Sequence, residues 1–241
     1  PIAQEWEEFQ LGSCRLASRA IFDLDCNWKI AMEANTEVYH VPSIHAKTVA
    51  PILDDRRNVN TLYPNGHGRM VAPVPNGKSS LQALKVSSDI AEIKTAGEIA
   101  RTCHQSYGIF PNLVSPMSHL AVAPIMFWPN GINKCRMETW TIAPQWKEGL
   151  KPDLWTVNDG KELCAILLED TQFGEKIQKS MESRGFEGVP LSYQEARIYH
   201  WNQAADLMIG IENIPDDLRV QQVISDDWIY PNDPRVAQCS E

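Results

Sequence analysis

The chain has 241 residues, enough to bury a large core in one big domain or two small ones, and one is the default reading. Asp and Glu number 31 against 22 Lys and Arg, a formal charge of −9, so no broad basic face exists to follow a phosphate backbone and nucleic acid is not an expected partner. The longest apolar run, Leu120 to Trp128, is nine residues with a proline inside it; crossing a bilayer takes about twenty, so no membrane span is expected.

The N-terminal segment PIAQEWEEFQ lacks a basic n-region and an apolar h-region and does not begin with Met, so it reads as the start of a trimmed fragment. Residues 14–25, CRLASRAIFDLD, mix short apolar alternation with β-branched and aromatic residues and predict a strand. NWKIAMEANTEVYH then places Trp28, Ala31, Met32 and Tyr39 at roughly helical spacing, with Asn27 as N-cap. That helix is expected to stop near Val41, because Pro42 disfavours helical geometry in the residue before it.

Residues 51–76 are rich in Pro, Gly, Asn and paired charges and read as loop with short strands; loops of that length are usually functional or mobile. Residues 88–104 carry Ile90, Ile93, Ile99 and Ala100 at helical spacing and predict a surface helix. Three short apolar runs follow between Ile109 and Ala143, divided by turn residues such as Pro129–Gly131, and predict adjacent antiparallel strands. Two long helical patterns close the chain, residues 159–185 with Gly185 as C-cap, and residues 191–211 opened by a capping box at Ser192–Glu195. Strands followed by helices, without strand–helix alternation, point to an α+β domain. Six cysteines (Cys14, Cys26, Cys103, Cys135, Cys164, Cys239) show no paired short spacing and read as reduced thiols of a cytoplasmic protein.

The chemistry concentrates in EANTEVYHVPSIH, residues 33–45, where His40 and His45 stand five apart and Glu37 precedes the first by three. Fe(II) that activates dioxygen is commonly held by two neutral imidazoles and one carboxylate, which leaves coordination positions open. On an unbroken helix a five-residue spacing puts side chains about 140° apart; a break at Pro42 would let the two rings converge while Glu37 stays on the face of His40. From these residues alone, two readings stand: a metal site, or two ordinary histidines near a turn. His67, His104 and His119 carry no motif and read as hydrogen-bonded or surface residues, His200 on the last long helix reads as core packing, and Trp28, Trp140, Trp146 and Trp201 read as core.

The continuous run NWKIAMEANTEVYHVPSIH resembles the mononuclear-iron segment of Rieske-type non-haem iron oxygenases, the ring-hydroxylating oxygenase α subunits: Asn-Trp-Lys, an acidic residue, one residue, Tyr-His, and a second His about five positions on. IFPN at Ile109–Asn112 and WPNGINKCRMETW after it look like the strand motif and hairpin of the same family. LLEDTQFGEKIQKSMESRGF followed by LSYQEARIYHW is similar to its C-terminal helical region, so the resemblance runs from about Cys14 to Trp201. It implies His40 and His45 as imidazole ligands, Asp170 as the carboxylate ligand with neighbouring Glu169 as the lesser candidate, and Glu37 as the acid that hydrogen-bonds a ligand histidine and bridges to a Rieske cluster on a neighbouring subunit. Asn35 and Ala34 depart from the family pattern, which bears on pocket shape.

The resemblance further implies a helix-grip α+β fold over residues 1–241, a curved antiparallel sheet around a long C-terminal helix, serving as the mononuclear-iron catalytic domain. The implied activity is O2-dependent hydroxylation of an aromatic or other apolar substrate, as cis-dihydroxylation, monohydroxylation or demethylation, in a homotrimer supplied with electrons from NADH through a reductase or ferredoxin. A Rieske [2Fe–2S] centre needs two Cys and two His, as Cys-x-His and Cys-x-x-His. Neither pair occurs, since Cys103 and His104 are adjacent and no other Cys has a His within three positions. The cluster is therefore expected on a full-length protein and not on this chain. Two rivals remain: a non-catalytic module of the same fold that binds a hydrophobic ligand, and a zinc hydrolase with Glu37 as general base. Asp170 as a plain helix-start charge and Glu37 as a solvated acid are the ordinary alternatives for those residues.

Overall fold

The computed structural model describes residues 1–78, 90–149, 151–155 and 165–232. Seven antiparallel strands make one curved, unclosed sheet: β1 (Arg15–Leu24), β2 (Val59–Leu62), β3 (Gly68–Pro73), β4 (Cys103–Ile109), β5 (Leu113–Met117), β6 (Ile125–Pro129) and β7 (Cys135–Ala143). Their spatial order is β1-β7-β6-β5-β4-β3-β2, so β1 pairs with the last strand and the remainder form a meander. Helices α1 (Ile2–Glu7), α2 (Trp28–Ala34), α3 (Val41–Ile44), α4 (Glu98–Thr102), α5 (Ala165–Met181) and α6 (Ala196–Ile209) accompany the sheet, with short 3-10 turns between elements. The α+β, helix-grip expectation agrees with this architecture.

The strand expected at residues 14–25 is β1, paired with β7 from Arg15↔Ala143 to Leu24↔Cys135, with a register shift between Leu16 and Ser18. The three strands expected between Ile109 and Ala143 are β5, β6 and β7; the Pro129–Gly131 turn joins the last two, with Gly131 at φ +108°, a conformation that favours glycine. IFPN spans the end of β4 and its turn into β5. There Asn112 fastens the turn to β6, donating Nδ2 to Phe127 O at 3.1 Å and accepting the Phe127 amide at 3.0 Å. Trp201 on α6 donates Nε1 to Pro111 O at 2.8 Å in the same turn.

Trp201 and Ala205 place α6 on the core, against Met32 of α2, Leu167 of α5 and sheet residues Val114, Ile125, Phe127 and Met137. Trp28 stands edge-on to Trp201 at 5.5 Å between ring centroids. Burying one such indole removes on the order of 150–250 Å² from water, an upper-bound stabilisation of about 4–6 kcal/mol. The chain enters α6 through a 3-10 turn, Tyr193–Glu195, in which the Ser192 amide donates to Glu195 Oε2 at 2.7 Å, as the capping-box spacing requires.

Four expectations are corrected. The helix after Asn27 ends at Ala34, not near Val41. Asn35 Nδ2 donates to Ala31 O and Thr36 Oγ1 to Met32 O, both at 2.9 Å, while the amides of both residues tighten to i−3 carbonyls. Side chains that hydrogen-bond back onto a helix compete with its continuation. Pro42 starts α3 rather than breaking a helix, because the first turn needs no amide donor there.

The helix expected at residues 88–104 shrinks to α4, with residues 79–89 outside the described set. Tertiary bonds take over its first half: the Ile93 amide donates to His119 O at 2.7 Å and the Gly97 amide to Glu8 Oε2 at 3.1 Å. Gly185 does not cap the following helix, which stops at Met181, four residues earlier. The expected start of that helix, residues 159–164, lies outside the described residues.

The presumed loop at residues 51–76 contains β2 and β3, consistent with short strands. Cys14, Cys26, Cys103 and Cys135 are free thiols, and Cys164 and Cys239 lie outside the described residues. No helix among the described residues is long and apolar enough to cross a membrane.

Candidate metal centre

Residues 35–40 carry the chain from α2 into α3, and α3 holds a histidine at each end: His40 as N-cap and His45 as C-cap. The third group comes from α5, 125 positions beyond His45. Ligand atoms of His40, His45 and Asp170 all lie within 4.8 Å of one another, with His45 buried and the other two half-buried. Asp170 Oδ1 is 2.9 Å from His45 Nε2 and 3.4 Å from His40 Nε2. The two imidazoles are 5.0 Å apart at their centroids and inclined by 64°. The rings converge although the helical break falls before His40 rather than at Pro42.

Each histidine has a carboxylate behind it. Glu37 accepts from His40 Nδ1 and also from the Tyr39 and His40 amides, the last at 3.2 Å. Glu37 is not on a helix, so its hold on His40 comes from the turn itself. Glu169 Oε2 accepts from His45 Nδ1 at 2.7 Å and from Thr48 Oγ1 at 2.5 Å. A carboxylate on Nδ1 fixes the tautomer with the proton there, which leaves the Nε2 lone pair for a metal. The sequence offered Glu169 only as a substitute for Asp170. Its position beside His45 was not legible, because the part of the ring a helical residue meets is set by packing.

The electrostatics favour a cation at this point. Burial works against a charged His40, but its hydrogen bonds to Asp170 and Glu37 outweigh that and push the imidazole up to about 10. Burial likewise opposes charge on His45, and Asp170 with Glu169 still raises it. Asp170 is held below the usual carboxylate range by the same two histidines, against burial.

Two ligand atoms each about 2.1 Å from one ion and at right angles to each other are about 3.0 Å apart, and both imidazole–carboxylate distances are near that value. Two imidazoles and one carboxylate, with no fourth His, Cys, Asp or Glu grouped with them among the described residues, match the donor set and open geometry of mononuclear Fe(II) sites. His40, His45 and Asp170 are thus able to hold a metal ion.

The remaining histidines serve the fold. His67 Nδ1 accepts the Phe110 amide at 2.9 Å. His119 Nδ1 meets Ala100 O at 3.0 Å, and His200 Nε2 meets Tyr63 O at 2.6 Å. His104 lies on β4 and burial lowers its pKa. Beside Asp170 opens a small recess whose walls include Ile30, Ala31, Ala34, Phe127, Met137 and Ile177. It is apolar on nearly every side, a feature that sequence reading did not locate.

The sequence matches the family described as ring hydroxylating alpha subunit (catalytic domain) over residues 11–210. No curated protein matches the sequence closely. Solved structures of similar fold include a quaternary ammonium Rieske monooxygenase in complex with an inhibitor, at 14% identity and TM-score 0.61, with 83% of this chain and 51% of that one covered. Naphthalene 1,2-dioxygenase from Rhodococcus sp. bound to indole follows at 15% identity and TM-score 0.58, covering 86% of this chain and 60% of that one. Dicamba monooxygenase bound to dicamba stands at 13% and 0.55, with 82% and 60% covered. The chain spans about half the length of the first of these and three-fifths of the other two. With the family match covering most of its length, the chain belongs to the ring-hydroxylating oxygenase α subunits, as their catalytic domain.

Proposed function

We propose that His40, His45 and Asp170 hold one Fe(II), and that this chain carries out the O2-dependent hydroxylation of an aromatic or other apolar substrate within a Rieske-type oxygenase. The observation that supports the reading is the convergence of two Nε2 atoms and one carboxylate oxygen from two separate elements within 4.8 Å. Iron, when bound, supplies dioxygen activation at the positions that three protein ligands leave open. Glu37 and Glu169 hold the Nδ1 protons of the two rings and so keep Nε2 aimed at the metal.

The recess beside Asp170 receives the substrate. Its apolar lining excludes water and orients a hydrocarbon surface by shape. The relatives named above are a quaternary ammonium monooxygenase, a naphthalene dioxygenase and a dicamba monooxygenase, named for three unlike compounds, so the apolar preference rests on this chain's own walls. Whether the outcome is cis-dihydroxylation, monohydroxylation or demethylation follows from which substrate atom that recess presents.

Electrons are assigned to a Rieske cluster outside this chain, on a neighbouring subunit of a homotrimer and fed by a reductase or ferredoxin. Glu37 is the residue on the approach, already bonded to His40. Tyr39 beside it is 61% exposed, an aromatic ring on the surface where such a subunit would dock.

Elemental analysis of protein purified anaerobically tests the iron assignment. The parent should carry near one iron per chain and a His40→Ala, His45→Ala double variant none. Absence of iron from both after reconstitution with Fe(II) would leave a hydrophobic-ligand-binding module in place of the oxygenase.

A further inference from the structure

Arg197, near the start of α6, is 3% exposed, and its Nε, Nη1 and Nη2 have no hydrogen-bond partner among the described residues. Burial pushes its guanidinium down to about 10, which still leaves it charged at neutral pH. A buried, unpaired cation is among the least favourable arrangements a fold contains, and surviving cases are paired with an anion. No carboxylate of the described residues forms an ion pair with it.

The sheet opens a slot for this side chain. Gly68 of β3 and Gly108 of β4 are direct cross-strand partners. A Cβ on Gly68 would stand 3.2 Å from Arg197 Cγ and Nε, and one on Gly108 3.0 Å from Nη2. Side chains at either position would close the slot, so both glycines serve the approach of the guanidinium to the sheet. The same three residues line a small recess with Thr36, Met32 and Trp201. Helix α2 borders both recesses, with Met32 toward this one and Ile30, Ala31 and Ala34 toward the apolar one beside Asp170.

We propose that Arg197, in the slot between Gly68 and Gly108, is the binding group of an oxyanion site that takes a carboxylate. The planar fork of donors suits the two oxygens of a carboxylate, which would satisfy the orphaned nitrogens and neutralise the charge together. The carboxylate belongs either to a small free anion or to an acid with an apolar body; the site is independent of the metal and goes beyond the oxygenase reading.

The test is thermal unfolding of the metal-free protein in a zwitterionic buffer, titrated with acetate, with benzoate and with chloride. The parent should show a melting temperature that rises and saturates with a carboxylate. Arg197→Met should lose that saturation, with at least a tenfold weaker apparent affinity, and melt no lower than the parent without anion, since it leaves no protein partner behind. Gly108→Ala, which keeps the charge and narrows the slot, should weaken the response in the same direction. Saturation by acetate identifies a small resident anion, and saturation by benzoate alone identifies an acid with an apolar body. A response to chloride equal to that of both carboxylates, identical curves for parent and Arg197→Met, or an Arg197→Met protein much less stable than the parent without anion would overturn the proposal.

Discussion

Glu169 and Asp170 are consecutive, yet they address opposite nitrogens of one ring: Glu169 Oε2 lies 2.7 Å from His45 Nδ1 and Asp170 Oδ1 lies 2.9 Å from His45 Nε2. Adjacent helical residues diverge by about 100°, so α5 reaches around the imidazole. The two acids therefore have different work.

Asp170→Ala should abolish iron occupancy, because it removes the one carboxylate that faces both Nε2 atoms. Glu169→Gln should keep iron while weakening it by about 10–100-fold, the usual effect of losing a partner behind a ligand. Chelator competition monitored by metal analysis separates the two outcomes. Full iron retention in Asp170→Ala would defeat the ligand assignment.

Glu37 combines two tasks that substitution can separate. Its carboxylate holds His40 Nδ1 and also accepts two amides of the turn into α3. Glu37→Gln retains an acceptor oxygen and should lower iron affinity with little loss of stability. Glu37→Ala should in addition destabilise the fold by about 1 kcal/mol, the typical cost of removing a cap. Urea melts of both variants beside the parent check this; equal melts for all three would assign the amide contacts no weight.

Much of this arrangement was legible because it is local. The strand at β1, the Asn27 cap, the Ser192–Glu195 turn and the spacing of His40 and His45 all depend on residues close in sequence. The errors came where distant parts decide. Ile90 to Gly97 lost its helix to bonds with His119 and Glu8, and α2 stopped early because Asn35 and Thr36 turned back on it. Glu169 acquired its histidine, and Arg197 its glycine slot, only through packing between elements far apart in the chain. Periodicity carries no information about either.

His67 gives the fold an acid-side sensitivity. Its Nδ1 accepts the Phe110 amide, and burial lowers its pKa below the usual histidine value. The unfolded chain therefore takes up this proton first, so stability is present above about pH 6.5 and is lost as pH falls below that. The limiting slope is about 1.4 kcal/mol per pH unit for one such group. In His67→Asn, stability measured by denaturant titration between pH 7 and 5 should fall less steeply than in the parent. Parallel profiles would show that the ring titrates alike in both states.

Gly174 connects core packing to the metal ligand. It lies one turn after Asp170 on α5, and a Cβ there would stand 2.9 Å from Cys26 Sγ. Cys26 is itself buried, which restrains its sulfur from swinging aside. On an open helix Gly→Ala gains about 1 kcal/mol, whereas overpacking costs about 1–3 kcal/mol, so Gly174→Ala should destabilise here. The simplest relief is for α5 to retreat from the bend after β1 that carries Cys26, and Asp170 moves with it. Iron affinity should therefore drop in Gly174→Ala, change little in Cys26→Ala, and recover in the double variant, where the sulfur is gone. A coupling of about 0.5–3 kcal/mol between the two substitutions is the range for residues in contact. If Gly174→Ala binds iron like the parent and the cycle shows no coupling, then Asp170 is held by its own hydrogen bonds and not by the closeness of the helix to the Cys26 bend.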